Sequence, residues 1–569
     1  MLHLSKWLDK GWGKRTPEPI LGFLFGILVG AVLVCTPTTA QEPRDQETDE
    51  ELIRISRTED ALGRKDLRVI GLRDCIYSTL EHNLDIEISR TDPLIREQDI
   101  VRQKAVFDPT FSYNFRQRAQ DIPTASPSPS RSVFTPGGQA YLADWDIVTA
   151  RRVGTTTMTT ALSKKMVTGA DVTVEYDYSR QNSSTSFSLA TGAPAPSFNP
   201  TYSPALTFTF DQPLLRGAGI DYNRSNIKIA MMNLKGSKYT FEWEVMGRAL
   251  EVQEAYWQLV NRIRQLGIER ESLRRAKRLL SDNRARFRAG TIARADLIES
   301  EAQVAVQQQR IVSAQYDLLL AENVIKKVMN DPDLSILTDI ALVPRDQPTS
   351  DPREIDWAYC VDKALNLRPD FASLKAQLEA NKIQIKQRKN ELYPEIDLQT
   401  SLTLNGLGDS FPGSMDVLSP FYSPNFFDAF IGLNVTVPLG GNRDRKAQYQ
   451  QAQLQAAQAL RELKNQELII IRDVREAVIN VKNFLDIIDK AAQVRELRAR
   501  QLEAKEIKRK AGTGIAFEVI EAQDDLTQAE GAELTNLINY NIWLARLSYR
   551  MGTILHELEI EIEDTPSGK

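Results

Sequence analysis

Three cysteines and three histidines in 569 residues leave little room for metal, thiol or imidazole chemistry. His3 and Cys35 fall in the N-terminal segment. His82, His556, Cys75 and Cys360 are dispersed, with no metal-ligand spacing and too few thiols for a disulfide framework. Isolated thiols of this kind usually serve as packing. The chain has no G-x-S-x-G elbow, phosphate-binding loop or Cys/His cluster, so neither an enzyme nor a bound cofactor or metal is expected. Excess positive charge is missing as well, since 71 Lys and Arg against 76 Asp and Glu give a net charge of -5. Opposite charges alternate along stretches such as Glu269-Arg270-Glu271, which reads as a solvated face and excludes the basic stripe of a nucleic-acid binder. Long apolar runs are also absent. The best, residues 20–34, is shorter than the roughly twenty residues that span a bilayer as a helix.

That run follows Lys6, Lys10, Lys14 and Arg15 and ends near the small-residue site Thr38-Thr39-Ala40, the layout of a secretory signal. Residues 1–40 are therefore read as a signal peptide and 41–66 as a polar N-terminal extension. Cys35 closes the apolar run, but Val32-Leu33-Val34 lacks the small residue that lipoprotein processing requires, so it is expected to be discarded with the signal.

What the chain does have is internal repetition. RFRAGTIARADLIESEAQ at residues 286–303 returns as IKRKAGTGIAFEVIEAQ at 507–523, with Gly290 matching Gly512. DQPLLRG around Pro213 returns as TVPLGG around Pro438, and FDPTFSYNF from Phe107 as YPEIDLQTSL from Tyr393. Two repeats are expected at 67–335 and 354–556, with a linker at 336–353 and an acidic tail at 557–569. Each repeat would open with a helix, at about 67–106 and 354–392. Strands follow, in which Phe111, Tyr113 and Phe115 alternate with polar residues, as do Ile396, Leu398, Leu402 and Leu404. Period two with one apolar face fits either a soluble sandwich or a membrane barrel.

The remaining segments are long and helical. Ala249, Val252, Tyr256, Leu259, Ile263 and Leu266 form a coiled-coil seam, Leu297, Val304, Ile311, Leu318 and Ile325 recur at sevens, and Ile470, Val474, Ala477, Val481 and Ile488 repeat the theme. A helix of about 65 residues spans roughly 100 Å, which makes a shaft rather than a globular core. Both shafts fold back at a glycine after a basic residue and alanine, a sequence suited to a positive-φ turn.

The duplication, the R-x-A-G-T turn with acids after it, and the proline-bearing QPLLRG and VPLGG elements together resemble the TolC-like outer-membrane efflux proteins, over about residues 67–554. The resemblance implies an α+β membrane protein with duplicated coiled-coil hairpins. Its amphipathic strands would form a trimeric transmembrane β-barrel of twelve strands, four per protomer, above a periplasmic α-helical tunnel. It implies the outer membrane as location, passive conduction in efflux or type I secretion, and a periplasmic adaptor and an RND- or ABC-type pump as partners. It carries a pore-gate role to Glu518 and Glu521, to their first-half counterparts Asp296 and Glu299, and to Arg509, which is expected to pair with Asp296. Adaptor docking falls at the turns Ala289, Gly290, Thr291 and Ala511, Gly512, Thr513. A tyrosine–arginine latch of the family is matched here by Arg509 and Gly514, which leaves that latch in doubt. The first half also carries an insertion at 120–200 with a hairpin turn at Thr168-Gly169-Ala170, expected to join the sheet or else to decorate its rim. A periplasmic coiled-coil scaffold or adaptor without a pore is the alternative reading.

Mass spectrometry of the mature N-terminus is expected to read Gln41 first. A lipid-modified Cys35 in that position would make the protein lipid-anchored instead.

Overall fold

The computed structural model describes residues 66–126, 132–134, 140–142, 147–183, 200–408 and 426–560, all within the second of two compact units, Leu52–Lys569. The expected signal peptide lies outside the described residues, as do residues 561–569 of the tail and all but Asp66 of the extension. The first half runs from strand β1 (Leu67–Ile70) through helices α1 (Leu72–His82) and α2 (Leu84–Lys104) and a 3-10 turn to strands β2 (Thr110–Ser126), β3 (Ser132–Phe134), β4 (Ala140–Leu142), β5 (Ile147–Lys165), β6 (Asp171–Ser183) and β7 (Thr201–Pro213). A short α3 (Ile220–Asn223) then leads into α4 (Ser225–Arg288) and α5 (Arg294–Met329). The second half comprises β8 (Ala341–Pro344), α6 (Trp357–Leu367), α7 (Pro369–Asn390), β9 (Glu395–Asn405), β10 (Phe427–Thr436), α8 (Arg443–Lys510), α9 (Ala516–Met551) and α10 (Ile554–Glu557).

Local chemistry sets the boundaries. α1 and α2 are separated at Asn83, whose side chain accepts from the N–H groups of Asp85 and Ile86 at 2.9 and 3.3 Å and so caps α2. α6 and α7 part at the corresponding place because Pro369 favours the first helical turn, and Arg368 ahead of it is extended at φ -66, ψ 121. The single opening helices expected in each half are thus pairs. The two long helices, of 64 and 68 residues, are each about 100 Å long. α5 and α9, of 36 residues each, return along them.

The seam residues of α4 are inside as expected: Ala249, Val252, Tyr256, Leu259 and Leu266 are fully buried, in clusters completed by Leu318, Ile325 and Ile538. Ile470, Val474 and Ala477 of α8 form the matching cluster with Tyr540 and Phe371. Leu67, expected to begin a helix, begins a strand instead. β1 pairs parallel with β8, and Arg345 N–H donates to the Ile70 carbonyl at 2.9 Å. A partner so distant in sequence leaves no local period to read. The stretch 336–353, expected as a linker, accordingly contains a strand whose Ala341, Leu342 and Val343 are buried. Asp346 follows that strand. Its carboxylate accepts from Leu72 N–H at the start of α1 (2.6 Å) and from the Tyr256 hydroxyl (2.7 Å). Burial pushes the Tyr256 hydroxyl pKa up, with the Asp346 bond adding to the shift.

Six strands make one antiparallel sheet in the order β10-β9-β7-β6-β5-β2. The hairpin β5–β6 of the insertion therefore joins the sheet, β3 and β4 of the same insertion pairing with each other, and the described residues supply six strands to it where the resemblance implied four. Its turn falls where expected, with Gly169 at φ +98 and Met166 N–H donating to the Ala170 carbonyl. The register gives the sheet two faces. Phe111, Leu162, Val174, Phe208, Leu402 and Ala429 lie in one row, and Ser112, Ala161, Glu175, Thr207, Thr403 and Asp428 lie in the next, on the opposite face.

Asp346→Ala leaves the Leu72 amide and the buried Tyr256 hydroxyl without their acceptor. A loss of about 1–3 kcal/mol is expected, read as a lower urea midpoint for the helical signal with an unchanged slope.

Candidate functional site

The two hairpin turns are built alike. Gly290 and Gly512 take φ of +71 and +80, and the N–H groups of Thr291 and Thr513 reach back to the carbonyls of Arg286 and Lys508 at 3.0 and 3.1 Å. This is the Schellman closure that frees the chain from the helix within two residues. Ala289, Gly290, Thr291, Ala511, Gly512 and Thr513 are all exposed.

Behind the turns a polar line joins three helices. Arg509 on α8 donates to the side chain of Asn283 on α4, and the Asn283 amide donates to Ser300 on α5. All three residues are buried. Arg286 adds a bond to the Arg509 carbonyl at 3.2 Å. Burial lowers the Arg509 pKa, and the Arg286 charge lowers it further. The expected Arg509–Asp296 pair is thus replaced by Arg509–Asn283. Arg509 lies in the packed seam beside α4, and a neutral amide there accepts its hydrogen bond without burying a second charge.

Lower on the same hairpins, Asp524 of α9 accepts at one oxygen from Gln303 (3.0 Å), Gln307 (2.9 Å) and Arg310 (3.2 Å) of α5. Arg275 of α4 bonds Thr527 and Glu530 of α9 at 3.0 and 3.1 Å. These residues were not singled out from the sequence. The available signal was the polar stripe Gln303, Gln307, Arg310 on one face of α5, running beside an aliphatic period that had drawn attention to Val304 and Ile311.

The four expected gate acids do not behave alike. Glu518, in the first turn of α9, is tied to Lys505 across its own hairpin at 2.8 Å, and this bond and charge lower its pKa. Glu521 is exposed, one turn further on. Asp296 and Glu299 are half-buried in the first turns of α5. Val519, Ile520 and Ala522 between and beside the second-half acids are buried against Leu279 and Leu502, so Glu518 and Glu521 point away from the packed seam.

A two-faced sheet continuous with paired helical shafts is a fold shared with solved outer-membrane channels. The crystal structure of the Campylobacter jejuni CmeC outer membrane channel aligns over 94% of both chains with a TM-score of 0.57 at 14% identity. The chain belongs to the outer membrane efflux protein family, whose profile matches residues 171–331 and 360–553, and its location is the outer membrane. Among curated relatives it is similar to outer membrane protein TolC of Salmonella enteritidis, with 22% identity over 333 residues, 58% of this chain and 66% of that one. TolC of Escherichia coli (strain K12) matches at 23% over 322 residues, 55% of this chain and 63% of the relative. The chain thus spans somewhat under two thirds of the length of the curated relatives it matches.

Arg509→Ala and Asn283→Ala are each expected to loosen the turns by about 1–2 kcal/mol, speeding tryptic cleavage after Arg288 by roughly 5–30-fold. Because they remove the same bond, the double variant is expected to be little faster than either single one.

Proposed function

We propose that three copies of this chain form a duct across the outer membrane and periplasm, through which solutes leave the cell passively. The observation that carries this reading is the sheet: one face apolar, the other polar, and both edge strands without a strand partner among the described residues, a combination that lipid tolerates only when further copies close it into a barrel. The apolar face would meet lipid and the polar face would line water. The long helices α4 and α8, each about 100 Å, would continue the passage as a tunnel with α5 and α9 packed along them. No helix among the described residues is long and apolar enough to cross a membrane, so any crossing would fall to the strands. A soluble scaffold or adaptor would bury the apolar face of such strands, whereas Phe111, Tyr113, Ile431 and Leu433 are exposed in the single chain.

The exposed turns at Gly290 and Gly512 suit docking by a coiled-coil adaptor, with an inner-membrane pump of RND or ABC type supplying the energy. Family membership supports these partners. Either efflux or type I secretion is compatible with a passive duct. At the tips, carboxylates repeated by threefold symmetry would favour cations in a constriction where Coulomb terms exceed their bulk-water size. Since Glu518 is already neutralised by Lys505, Glu521 carries more of that preference than Glu518.

The protein extracted in detergent is expected to run as a heat-sensitive trimer and to conduct in planar bilayers with cation preference. Glu518→Ala with Glu521→Ala should weaken the preference while leaving the trimer intact, most of the change arising from Glu521→Ala alone. A monomer released by carbonate without detergent and carrying no current would support the scaffold instead.

A further inference from the structure

The inserted hairpin is part of the wall. β5 bonds to β2 over 17 residue pairs and to β6 over 13, and β6 bonds to β7 over 11. Its side chains follow the two faces of the other strands, with Leu162, Val172, Val174 and Tyr176 on the apolar side and Thr173, Glu175 and Asp177 on the polar side. The hairpin turn is fixed to the junction between β7 and α4. Gly219 N–H donates to the Thr168 carbonyl at 3.1 Å, and a Cβ on Gly169 would meet the Gly217 carbonyl oxygen at 2.6 Å. An ornament on the rim needs none of this.

We propose that the assembled barrel has eighteen strands, six from each copy, closed by β10 of one copy pairing antiparallel with β2 of the next. The inference rests on the trimeric duct proposed above. Six is an even number, so β10 runs opposite to β2 and the antiparallel pattern continues across the joint.

The stagger fits closure as well. A line of paired residues from Thr110 passes through Ser163, Thr173, Thr209 and Ser401 to Phe430, and β10 continues six residues further to Thr436 before turning toward its helix. With the start of β2 level with the end of a neighbour's β10, each copy adds six residues of shear to six strands. Equal shear and strand number correspond to a tilt of about 36°, within the roughly 35–45° of membrane barrels.

In that register Phe111, Tyr113 and Phe115 of one copy stand opposite Val435, Leu433 and Ile431 of the next, as aromatic–aliphatic pairs on the apolar face. All six are half or more exposed in the single chain, from 51% to 76%. A slip of one residue sets each opposite a residue of the other face.

The consequence is a wide mouth. Barrel diameter grows about linearly with strand number, and barrels of about 16–18 strands enclose an aqueous channel. Eighteen strands give a bore about half as wide again as twelve. Bulky hydrated solutes pass such a mouth, and selection is left to the helical end.

The test scans β6 by cysteine substitution in the full chain with Cys75→Ala and Cys360→Ala, reconstituted in planar bilayers. Thr173→Cys, Glu175→Cys and Asp177→Cys are expected to react with a charged methanethiosulfonate and lower the current. Val172→Cys, Val174→Cys and Tyr176→Cys should react only with a lipid-soluble maleimide. Oxidation of Ser112→Cys with Asn434→Cys should join neighbouring copies into covalent dimers and trimers. If both sets react with the charged reagent while trimers still conduct, the insert lies outside the wall, and the eighteen-strand barrel is wrong although the duct stands. Failure of the Ser112–Asn434 bridge in conducting trimers overturns the proposed edge pairing. If the parent protein neither trimerises nor conducts, the duct reading itself falls.

Discussion

Everything in this molecule answers to the backbone of two edge strands. β2 and β10 are the outer strands of the sheet, each with no strand beyond it among the described residues, and in hydrocarbon no water can satisfy the backbone groups of an open edge. A strand edge in lipid must find another edge, and one chain cannot curl six strands into a closed wall of useful bore. The sheet thus makes assembly a condition of residence in the membrane. The proposed duct, its symmetry and the repetition of charges at its far end all descend from that requirement.

Cohesion along the hairpins changes character with distance from the sheet. In the middle stretch, Tyr256, Leu259, Leu266, Ile325 and Ile538 are buried in an apolar core that is non-directional and tolerant of small shifts. Toward the tips, polar groups at Arg509, Asn283, Ser300, Asp524 and Thr527 supply the links between helices, beside a small apolar cluster around Val519 and Leu526. Gln307 and Gln523 each keep a buried carbonyl oxygen without a partner. Directional bonds hold one arrangement and are lost together when it is left, and unmatched buried oxygens reduce the net stability of that arrangement. Cohesion near the tips thus depends more on directional polar links than it does in the middle stretch.

Periodicity made the shafts, the turns and the strand faces legible, because each is a local pattern imposed by one neighbouring surface. Gly290 and Gly512 could be placed as turns since only a positive-φ residue ends a helix so abruptly. What stayed hidden involved partners far away in sequence. β1 needed β8, Asp346 needed Leu72 and Tyr256, and Arg509 needed Asn283 rather than an acid, a choice decided by burial that a sequence does not display. The inserted hairpin was readable as strands, but whether it entered the sheet depended on contacts at Thr168 and Gly169 with a segment more than forty residues on.

The insertion also shows how a duplicated fold can be enlarged without being broken. In the second half one hairpin, β9–β10, separates α7 from α8, so the chain leaves and re-enters the helical region at the same end of the sheet. A single added strand in the first half would deliver α4 to the opposite end, reversing its hairpin relative to α8 and destroying the bonds from Arg509 and Asp524 that join the two. Adding strands in pairs preserves direction. β5 and β6 do this, and α4 still begins at the rim where β2 starts, as Gly219 bonding to Thr168 and Gly217 bonding to Asn390 at the end of α7 both require. The wall is free to widen two strands at a time, while the helical end, packed by the matched repeats, stays as it is.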